Sequence, residues 1–258
     1  MNIIKLCENF YTEYTGEKGI IGYSQNQKPI YYFCVNKTEK PVIIVQCAIH
    51  AREYITSYLC LELIKDFMQN GKDGRVYFIP MSNPDGVEIA LNENPLYKAN
   101  ARGVDLNVNF DANWGKGIRN VFTRGAENYV GEFPFSERES KALKEFTLSI
   151  KPHLTISYHA KGEEIYYYFN QRSRCLTASV KVANLIAEQT GYTVKKIKGS
   201  VGGYKDWCIE RLKVPSITIE VGRDELSHPI TEEFLPEIYY KNKNVLSVLT
   251  QNKGELWN

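Results

Sequence analysis

The sequence predicts an α/β fold, with a mixed, mostly parallel twisted β-sheet of about eight strands and helices on both faces. Short apolar runs alternate along the chain with stretches of helical periodicity. The run from Val42 to Ile49 is apolar almost throughout, which is typical of a strand covered on both faces. No internal repeat or linker divides the 258 residues. We therefore expect a single domain over residues 1–258, with about 1–19 as an amino-terminal extension.

The composition limits the classes of function. The formal net charge is +2 and no nucleic-acid-binding motif is present, so we expect no nucleic-acid partner. No apolar run approaches the ~20 residues that cross a bilayer, and the first residues lack a secretory signal. We therefore expect no membrane partner and a cytoplasmic location. Six scattered cysteines without a C-x-x-C pair favour buried free thiols in a reducing compartment. The oligomeric state stays open.

The elements follow from local patterns. In the first half we predict, in order, a hairpin over residues 22–35, the strand 42–49, a helix ending at Asn70-Gly71, a strand over 75–80 and a tight turn over 82–86. In the second half we predict a helix over 136–150 opened by a Ser136/Glu139 capping box, strands over 154–159 and 164–169, helices over 177–190 and 204–212, a strand over 216–221 and a last helix over 232–250. Residues 92–135 show no periodic element, and a loop of that length is usually functional.

Polar side chains follow the central strand at the point where it ends. His50 and Glu53 come directly after the run and are three residues apart, so they lie on one side of a first helical turn. In open α/β sheets this junction is where ligands bind. The two side chains could bind one metal ion, although H-x-x-E alone is a weak signal.

The third ligand of such a site must come from elsewhere, because a catalytic zinc usually has three protein ligands. His153 and His159 begin and end one predicted strand, so about 20 Å separates them. Only His159 lies at a carboxyl end, as His50 does, and we expect it to be the ligand; a solvated strand end is the alternative. His153 and His228 are expected to be structural.

A second carboxylate, Glu220, ends the apolar run 216–219. Burying a glutamate is costly unless it is paired or functional. The alternatives are a salt bridge and a general base, which accepts a proton from a water whose pKa the metal lowers.

Taken together, these residues resemble the zinc carboxypeptidase family. The matching segments, in family order, are His50-Ala51-Arg52-Glu53-Tyr54-Ile55-Thr56, Asn83-Pro84-Asp85-Gly86, Asn100 to Phe110, Ser157-Tyr158-His159, Gly202 to Trp207 and Ile217 to Glu220. They extend over about residues 20–250. The resemblance implies a zinc carboxypeptidase-like fold and a peptidase that uses one Zn²⁺ ion.

The resemblance also implies a role for each matching position. His50, Glu53 and His159 bind zinc, and Glu220 is the general base and later the proton donor. Arg102 polarises the substrate carbonyl and stabilises the oxyanion. The other implied roles are substrate binding by Arg52 and Asn107, and orientation of His50 by Asp105.

The chain departs from the family at its specificity positions. Val108 stands where exopeptidases of the family have an arginine that binds the substrate's terminal carboxylate, and valine cannot form that pair. Lys198 falls near the position of a mobile tyrosine, with Tyr204 close by, and Lys205 falls at the floor of the side-chain pocket. With Arg223, these lysines predict a cationic pocket for a substrate that carries extra carboxylates.

A finer resemblance points to bacterial γ-D-glutamyl-meso-diaminopimelate peptidases. It is carried by residues 159–171 and 220–229, and it implies a cell-wall muropeptide as substrate. The alternatives are a carboxypeptidase acting on ordinary peptides, a deacylase of N-acyl amino acids and a zinc-binding protein without turnover. The deacylases usually carry a G-x-H-G-x-E block, which is absent here.

Overall fold

The computed structural model describes residues 2–125 and 127–252. The ends of the predicted domain, residue 1 and residues 253–258, lie outside the described residues, as does residue 126. The strands are β1 (Lys18–Tyr23), β2 (Pro29–Asn36), β3 (Val42–Gln46), β4 (Arg75–Ile79), β5 (Leu154–Ala160), β6 (Glu164–Tyr166), β7 (Thr193–Lys195) and β8 (Ser216–Val221). The helices are α1 (Ile3–Glu13), α2 (Ile55–Asn70), α3 (Pro84–Asn92), α4 (Arg138–Ile150), α5 (Ser173–Thr190), α6 (Tyr204–Trp207), α7 (Leu235–Asn242) and α8 (Val245–Gln251).

The eight strands form one sheet in the order β1-β2-β4-β3-β5-β8-β6-β7. The central pairs β4–β3, β3–β5 and β5–β8 are parallel, as is β6–β7, while β1–β2, β2–β4 and β6–β8 are antiparallel. This arrangement confirms the predicted mixed, mostly parallel sheet. Because β3, β5 and β8 run in parallel, their carboxyl ends meet at one edge.

Both faces of the sheet are covered, as the apolar strands predict. Ile43 and Val45 point into one core, shared with α1, α2, α5, α7 and α8. Ile44 points into a second core, shared with α4 and α6. None of the three side chains is exposed, and burying each contributes about 1.5–3 kcal/mol to stability.

Several local predictions were wrong. Residues 83–86 form the start of α3 rather than a tight turn: Asn83 Oδ1 accepts a hydrogen bond from the Gly86 N–H, and proline is tolerated in a first helical turn. The capping box at Ser136 does not form, since α4 begins at Arg138 and Ser136 Oγ donates to Glu137. The predicted last helix is divided into a 3₁₀ turn, α7 and α8.

The amino-terminal extension contains α1, whose Ile3 and Cys7 lie in the first core.

The long segment between α3 and α4 is held by two buried carboxylates, Glu137 and Glu139, neither of which is exposed. Asn100 Nδ2 donates to Glu137 Oε2 over 2.8 Å, and it is 3.3 Å from Glu139 Oε2. Gln25 approaches both carboxylates, through its side chain to Glu137 and its backbone N–H to Glu139. Desolvation, with a smaller effect of the Glu137 charge, raises the pKa of Glu139 to about 7.

We expect the substitution Glu139→Gln to stabilise the protein at alkaline pH. The folded-state pKa of Glu139, about 7, lies above its ordinary value of 4.5, so the folded protein binds more protons than the unfolded chain between those two values. Its contribution to stability is therefore present below about pH 4.5 and is lost as the pH rises through about 7. Chemical denaturation should show that Glu139→Gln gains up to ~3 kcal/mol over wild type at pH 8 but little at pH 4.5. Glu145→Gln, at an exposed position of the same helix, is the control; an equal gain there would contradict this account.

Candidate metal centre

Three side chains from two strand ends converge at the carboxyl edge of the sheet. His50 lies just beyond β3, Glu53 is in the 3₁₀ turn that follows, and His159 is near the end of β5. The Glu53 carboxylate is 2.8 Å from His50 Nδ1 through one oxygen and 2.9 Å from His159 Nδ1 through the other. All three residues are at most 8% exposed.

The donor atoms fit a metal ion. One ligand atom from each residue lies within 4.8 Å of the others. The Nδ1 atoms of His50 and His159 face each other at 3.2 Å, an arrangement in which both lone pairs are satisfied only if a proton or a cation lies between them. Two imidazoles and one carboxylate are a common ligand set of catalytic zinc, which leaves a further position open. The predicted ligands His50, Glu53 and His159 are therefore brought together.

The charges of the three side chains change one another's pKa values. Desolvation lowers the pKa of His50, but the Glu53 and Asp105 carboxylates outweigh it and raise that pKa to about 9. Desolvation raises the pKa of Glu53, but the two histidines outweigh it and hold that pKa well below its usual range. Burial lowers the pKa of His159. A divalent cation in place of the shared proton would keep the carboxylate ionised and both rings neutral.

Asp105 contacts His50 in the way that its predicted orienting role requires. Asp105 Oδ1 is 3.2 Å from His50 Nε2, the ring nitrogen that faces away from Glu53. Asp105 is 1% exposed and begins the 3₁₀ turn Leu106–Val108, where its side chain accepts the Asn107 N–H. A carboxylate on the outer nitrogen of a ligand histidine sets its ring orientation and raises its basicity.

Glu220 lies beside the metal ligands. It pairs in register with His159 on the adjacent parallel strand, so both side chains leave the same face of the sheet. The side chain of Glu220 is partly exposed, unlike the rest of β8. Desolvation raises the pKa of Glu220 well above its usual value, and the charge of Glu53 adds to the effect. A carboxyl group in that position can exchange protons with a water or substrate at the site.

The two predicted arginines pair with carboxylates that are not among the candidate metal ligands. Arg102 pairs with Glu132 over 2.9 Å and lies 3.7 Å from Glu137, so none of its contacts supports its predicted catalytic role. Arg52 donates to Glu127 over 2.7 Å and to a backbone carbonyl. Its role in substrate binding stays a prediction.

Asn107 and Tyr204 hold loops together. Asn107 Oδ1 accepts the Tyr204 N–H over 3.2 Å, which joins the Leu106–Val108 turn to α6. Tyr204 has no exposed surface, and its hydroxyl is 2.8 Å from Thr147 Oγ1. This placement does not fit a substrate contact by Tyr204, the tyrosine near the family's mobile-tyrosine position, because an apolar cluster encloses its ring.

The predicted cationic pocket does not form as one cluster of contacts. Lys205 is 7% exposed, and its ammonium is 2.5 Å from Asp206 and 3.1 Å from the Tyr168 carbonyl. Arg223 is half exposed and lies 3.6 Å from Glu237 of α7. Lys198 is exposed. Of the three, only Lys205 is a buried charge.

Two residues near the site, Lys98 and His228, were not among its predicted members. Lys98 Nζ is 2.7 Å from Asp105 Oδ2. His228 is close enough for the charges of Glu53 and Arg52 to act on it, although desolvation is the main cause of its lowered pKa. His228 Nδ1 is buried without a hydrogen-bond partner among the described residues. The only signal for Lys98 was its place in the long segment, and the signal for His228 was its position just after Glu220.

Fold and site together define a protein with a candidate His-Glu-His metal centre at the edge of a mixed α/β sheet. A family model described as zinc carboxypeptidase matches residues 3–244. The chain therefore belongs to the zinc carboxypeptidase family. Among the described residues, none of the helices combines the length and apolarity that a membrane span needs.

Relatives with known names include a γ-D-glutamyl-L-diamino acid endopeptidase 1 from Lysinibacillus sphaericus, which is 28% identical over 90% of this chain. This chain spans 66% of that relative's length. Among solved structures, bovine thrombin-activatable fibrinolysis inhibitor in complex with tick carboxypeptidase inhibitor is similar with a TM-score of 0.83, at 23% identity, over 96% of this chain and 93% of that one. Murein-tripeptide amidase MpaA from Escherichia coli O157 is similar with a TM-score of 0.66, at 21% identity, over 92% of each chain. Both likenesses confirm the fold.

Proposed function

We propose that this peptidase hydrolyses the γ-D-glutamyl–meso-diaminopimelate bond of cell-wall muropeptides, with Glu220 as its general base. The observation that carries the hydrolytic chemistry is the register of Glu220 with His159, which puts a partly exposed carboxyl beside three buried metal ligands. A zinc ion held by His50, Glu53 and His159 supplies positive charge that polarises a carbonyl and lowers the pKa of a water. Glu220 accepts the proton of the attacking water and returns it to the leaving amine.

Three features support the choice of substrate. The relative that is 28% identical carries the name of a γ-D-glutamyl-L-diamino acid endopeptidase. Val108, at the position of the family's carboxylate-binding arginine, is 8% exposed and cannot bind a terminal carboxylate. Of the three cations of the predicted pocket, the ammonium of Lys205 is the buried one, and a second substrate carboxylate that reaches it would share it with Asp206.

The location remains part of the proposal. All six cysteines are free, and five of them are buried, which is compatible with a reducing compartment. A cytoplasmic enzyme of this kind would process muropeptides that have entered the cell.

Mass spectrometry of reaction products tests the substrate. We expect L-Ala-γ-D-Glu-meso-diaminopimelate to yield free diaminopimelate and L-Ala-D-Glu. The matched tripeptide with L-Lys in the third position lacks one carboxylate and should react at least ~10-fold more slowly, as loss of a charged hydrogen bond predicts. A panel of ordinary peptides that would release single C-terminal residues completes the set. Cleavage of the ordinary panel alone would replace the muropeptide proposal with a metallocarboxypeptidase, and no cleavage by zinc-loaded protein would favour a non-catalytic zinc-binding protein.

A further inference from the structure

Two large apolar side chains of the long segment between α3 and α4 project into solvent. Ile118 is 85% exposed and Phe122 is 63% exposed. Single exposed apolar residues are ordinary on protein surfaces, whereas a patch of them, especially one with a polar surround, indicates an interaction surface. The neighbours of these two side chains therefore decide whether they have a function.

Ile118 and Phe122 belong to one surface patch. The N–H of Ile118 donates to the Gly199 carbonyl over 2.9 Å, which joins the long segment to the loop after β7. The Ile118 side chain lies over Gly199 and leaves no room for a Cβ there. Ile197, two residues before that glycine, is 39% exposed. On the other side, the centre of the Phe122 ring is 5.8 Å from that of the Trp114 ring. We call Trp114, Ile118, Phe122 and Ile197 the apolar patch.

The two segments that carry the apolar patch contain basic residues and no acidic ones. Over residues 112–124 and 195–201 the charged residues are Lys116, Arg119, Arg124, Lys195, Lys196 and Lys198. Lys116, Arg119 and Lys198 are exposed, and none of the ion pairs found among the described residues includes them. Since the whole chain has a formal net charge of only +2, this positive charge is a local concentration.

Protruding apolar side chains among cations fit a surface that is negatively charged outside and apolar inside. An anionic lipid bilayer has this order of layers, and it attracts lysine and arginine near its surface while apolar side chains enter below the headgroups. A second copy of this chain would bring like charges together, which disfavours association. An acidic protein would pair the cations, but it would need a pocket shaped for Ile118, whereas a bilayer accepts any apolar side chain of that length.

The apolar patch lies close to the segments that flank the candidate metal centre. The Gly202 carbonyl accepts the N–H of Phe110 over 2.9 Å, and the Asn107 side chain accepts the N–H of Tyr204. At ~3.6 Å per residue, the four steps from Phe110 to Trp114 extend at most about 14 Å. A surface bound by the patch would therefore adjoin the loops that surround the site.

We propose that the apolar patch and its cations form a peripheral docking surface for an anionic lipid bilayer. Ile118 and Phe122 enter the boundary between headgroups and acyl chains, and Lys116, Arg119 and Lys198 pair with the anionic groups of the lipids. This mode of binding needs no membrane-spanning helix. It departs from the expectation of no membrane partner, which rested on the lack of a long apolar run. It goes beyond the proposed function and does not depend on which peptide bond is cleaved.

Vesicle co-sedimentation of zinc-loaded full-length protein tests the proposal. We expect wild type to bind vesicles made of phosphatidylglycerol and phosphatidylcholine in equal parts, and to bind vesicles of phosphatidylcholine alone at least ~10-fold more weakly. Raising the salt from about 0.1 M to about 1 M shortens the Debye length from about 10 Å to about 3 Å. Binding to the anionic vesicles should then weaken by at least ~10-fold.

The triple variant Lys116→Gln/Arg119→Gln/Lys198→Gln tests the cations. Each cation near an anionic surface contributes about a factor of five to binding, so the triple variant should partition onto the anionic vesicles about 10²-fold less than wild type. These side chains are exposed, and their replacement should leave the fold intact.

The double variant Ile118→Ser/Phe122→Ser tests the apolar side chains. Loss of their burial in the lipid should lower partitioning by at least ~10-fold. Circular dichroism and thermal unfolding check that both variants are folded. If the double variant is unfolded, the triple variant and the salt dependence still decide the proposal.

The matched control is Lys40→Gln/Lys72→Gln/Lys151→Gln. These exposed lysines precede β3, β4 and β5, at the opposite edge of the sheet from the carboxyl ends. The control changes the net charge as much as the triple variant does, but it leaves the patch unaltered. It should bind the anionic vesicles within ~3-fold of wild type, because charges more than a Debye length from the bound surface are screened.

Several results would overturn the proposal. Wild type that stays in the supernatant with anionic vesicles is one, and an equal loss of binding in the triple variant and its control is another. Poly-L-glutamate is the probe for an acidic protein partner. Patch-dependent binding of that polymer without vesicle binding would replace the bilayer with an acidic polypeptide. A dimer in sedimentation velocity that is lost in Ile118→Ser/Phe122→Ser, without vesicle binding, would make the patch a contact between copies of the chain.

Discussion

Glu220→Gln is expected to lower kcat by about 10³-fold while zinc content and folding stay as in wild type. Glutamine keeps the size of the side chain and one acceptor oxygen, but it cannot take a proton, and general acid–base catalysis commonly contributes 10²–10⁴-fold. Glu220 is not one of the three clustered ligands, so the metal should remain. Steady-state kinetics with metal analysis of the same samples provide the measurement. The acidic limb of the pH profile of kcat/KM that belongs to this carboxyl should disappear in the variant.

Glu164→Gln is the matched control for that experiment. Glu164 pairs with Glu220 from the other neighbouring strand, and its carboxylate is held by Lys195 and Tyr166. Removing its charge changes the field at Glu220 without removing the base, so we expect less than a ~10-fold effect. A Glu220→Gln enzyme that kept a tenth or more of wild-type activity would show that another group accepts the proton.

The parts of this site that the sequence predicted are those attached to regular strands. The apolar runs of β3, β5 and β8 identify buried parallel strands, and such strands bring their carboxyl ends to one edge. His50, His159 and Glu220 lie at or just past these ends, so their convergence follows from the pattern. Asp105 could be assigned to the site only through the family resemblance, because the segment around it shows no helical or strand periodicity.

Misses occurred where local signals competed or where none existed. Pro84 and Gly86 indicate a turn by composition, but Asn83 caps the same residues as the first turn of α3. β7 has only three residues, two of them exposed. So short a strand shows no recognisable alternation of apolar and polar residues. Lys98 depends on a backbone bond to Ala51 and an ion pair to Asp105, and both are contacts between segments without periodicity. Such contacts follow from the packing of the long segment, which spacing along the chain does not determine.

Removal of the metal should abolish hydrolysis, and His159→Ala should abolish stoichiometric zinc binding. Three side chains are placed to hold the ion, and His159 is the one supplied by a separate strand, β5. Its loss leaves His50 and Glu53, neighbours on one turn, as a two-ligand site. Asp105→Asn should have a smaller effect and lower the zinc affinity by about 10–100-fold, as expected for a group that orients a ligand. Plasma mass spectrometry of dialysed protein gives the zinc content, and re-addition of zinc to chelated wild type should restore activity.

His153→Ala is the matched control for the metal experiment, since His153 precedes the other end of the same strand and its Nδ1 accepts the Val42 N–H over 3.1 Å. This variant should keep one zinc per chain. Zinc should also raise the melting temperature of wild type and His153→Ala but not of His159→Ala, because an ion that binds only the folded state stabilises it by mass action. Stoichiometric zinc and a zinc-dependent melting temperature in His159→Ala would mean that the ion is bound by other ligands, and the role assigned to Glu220 would then lose its basis.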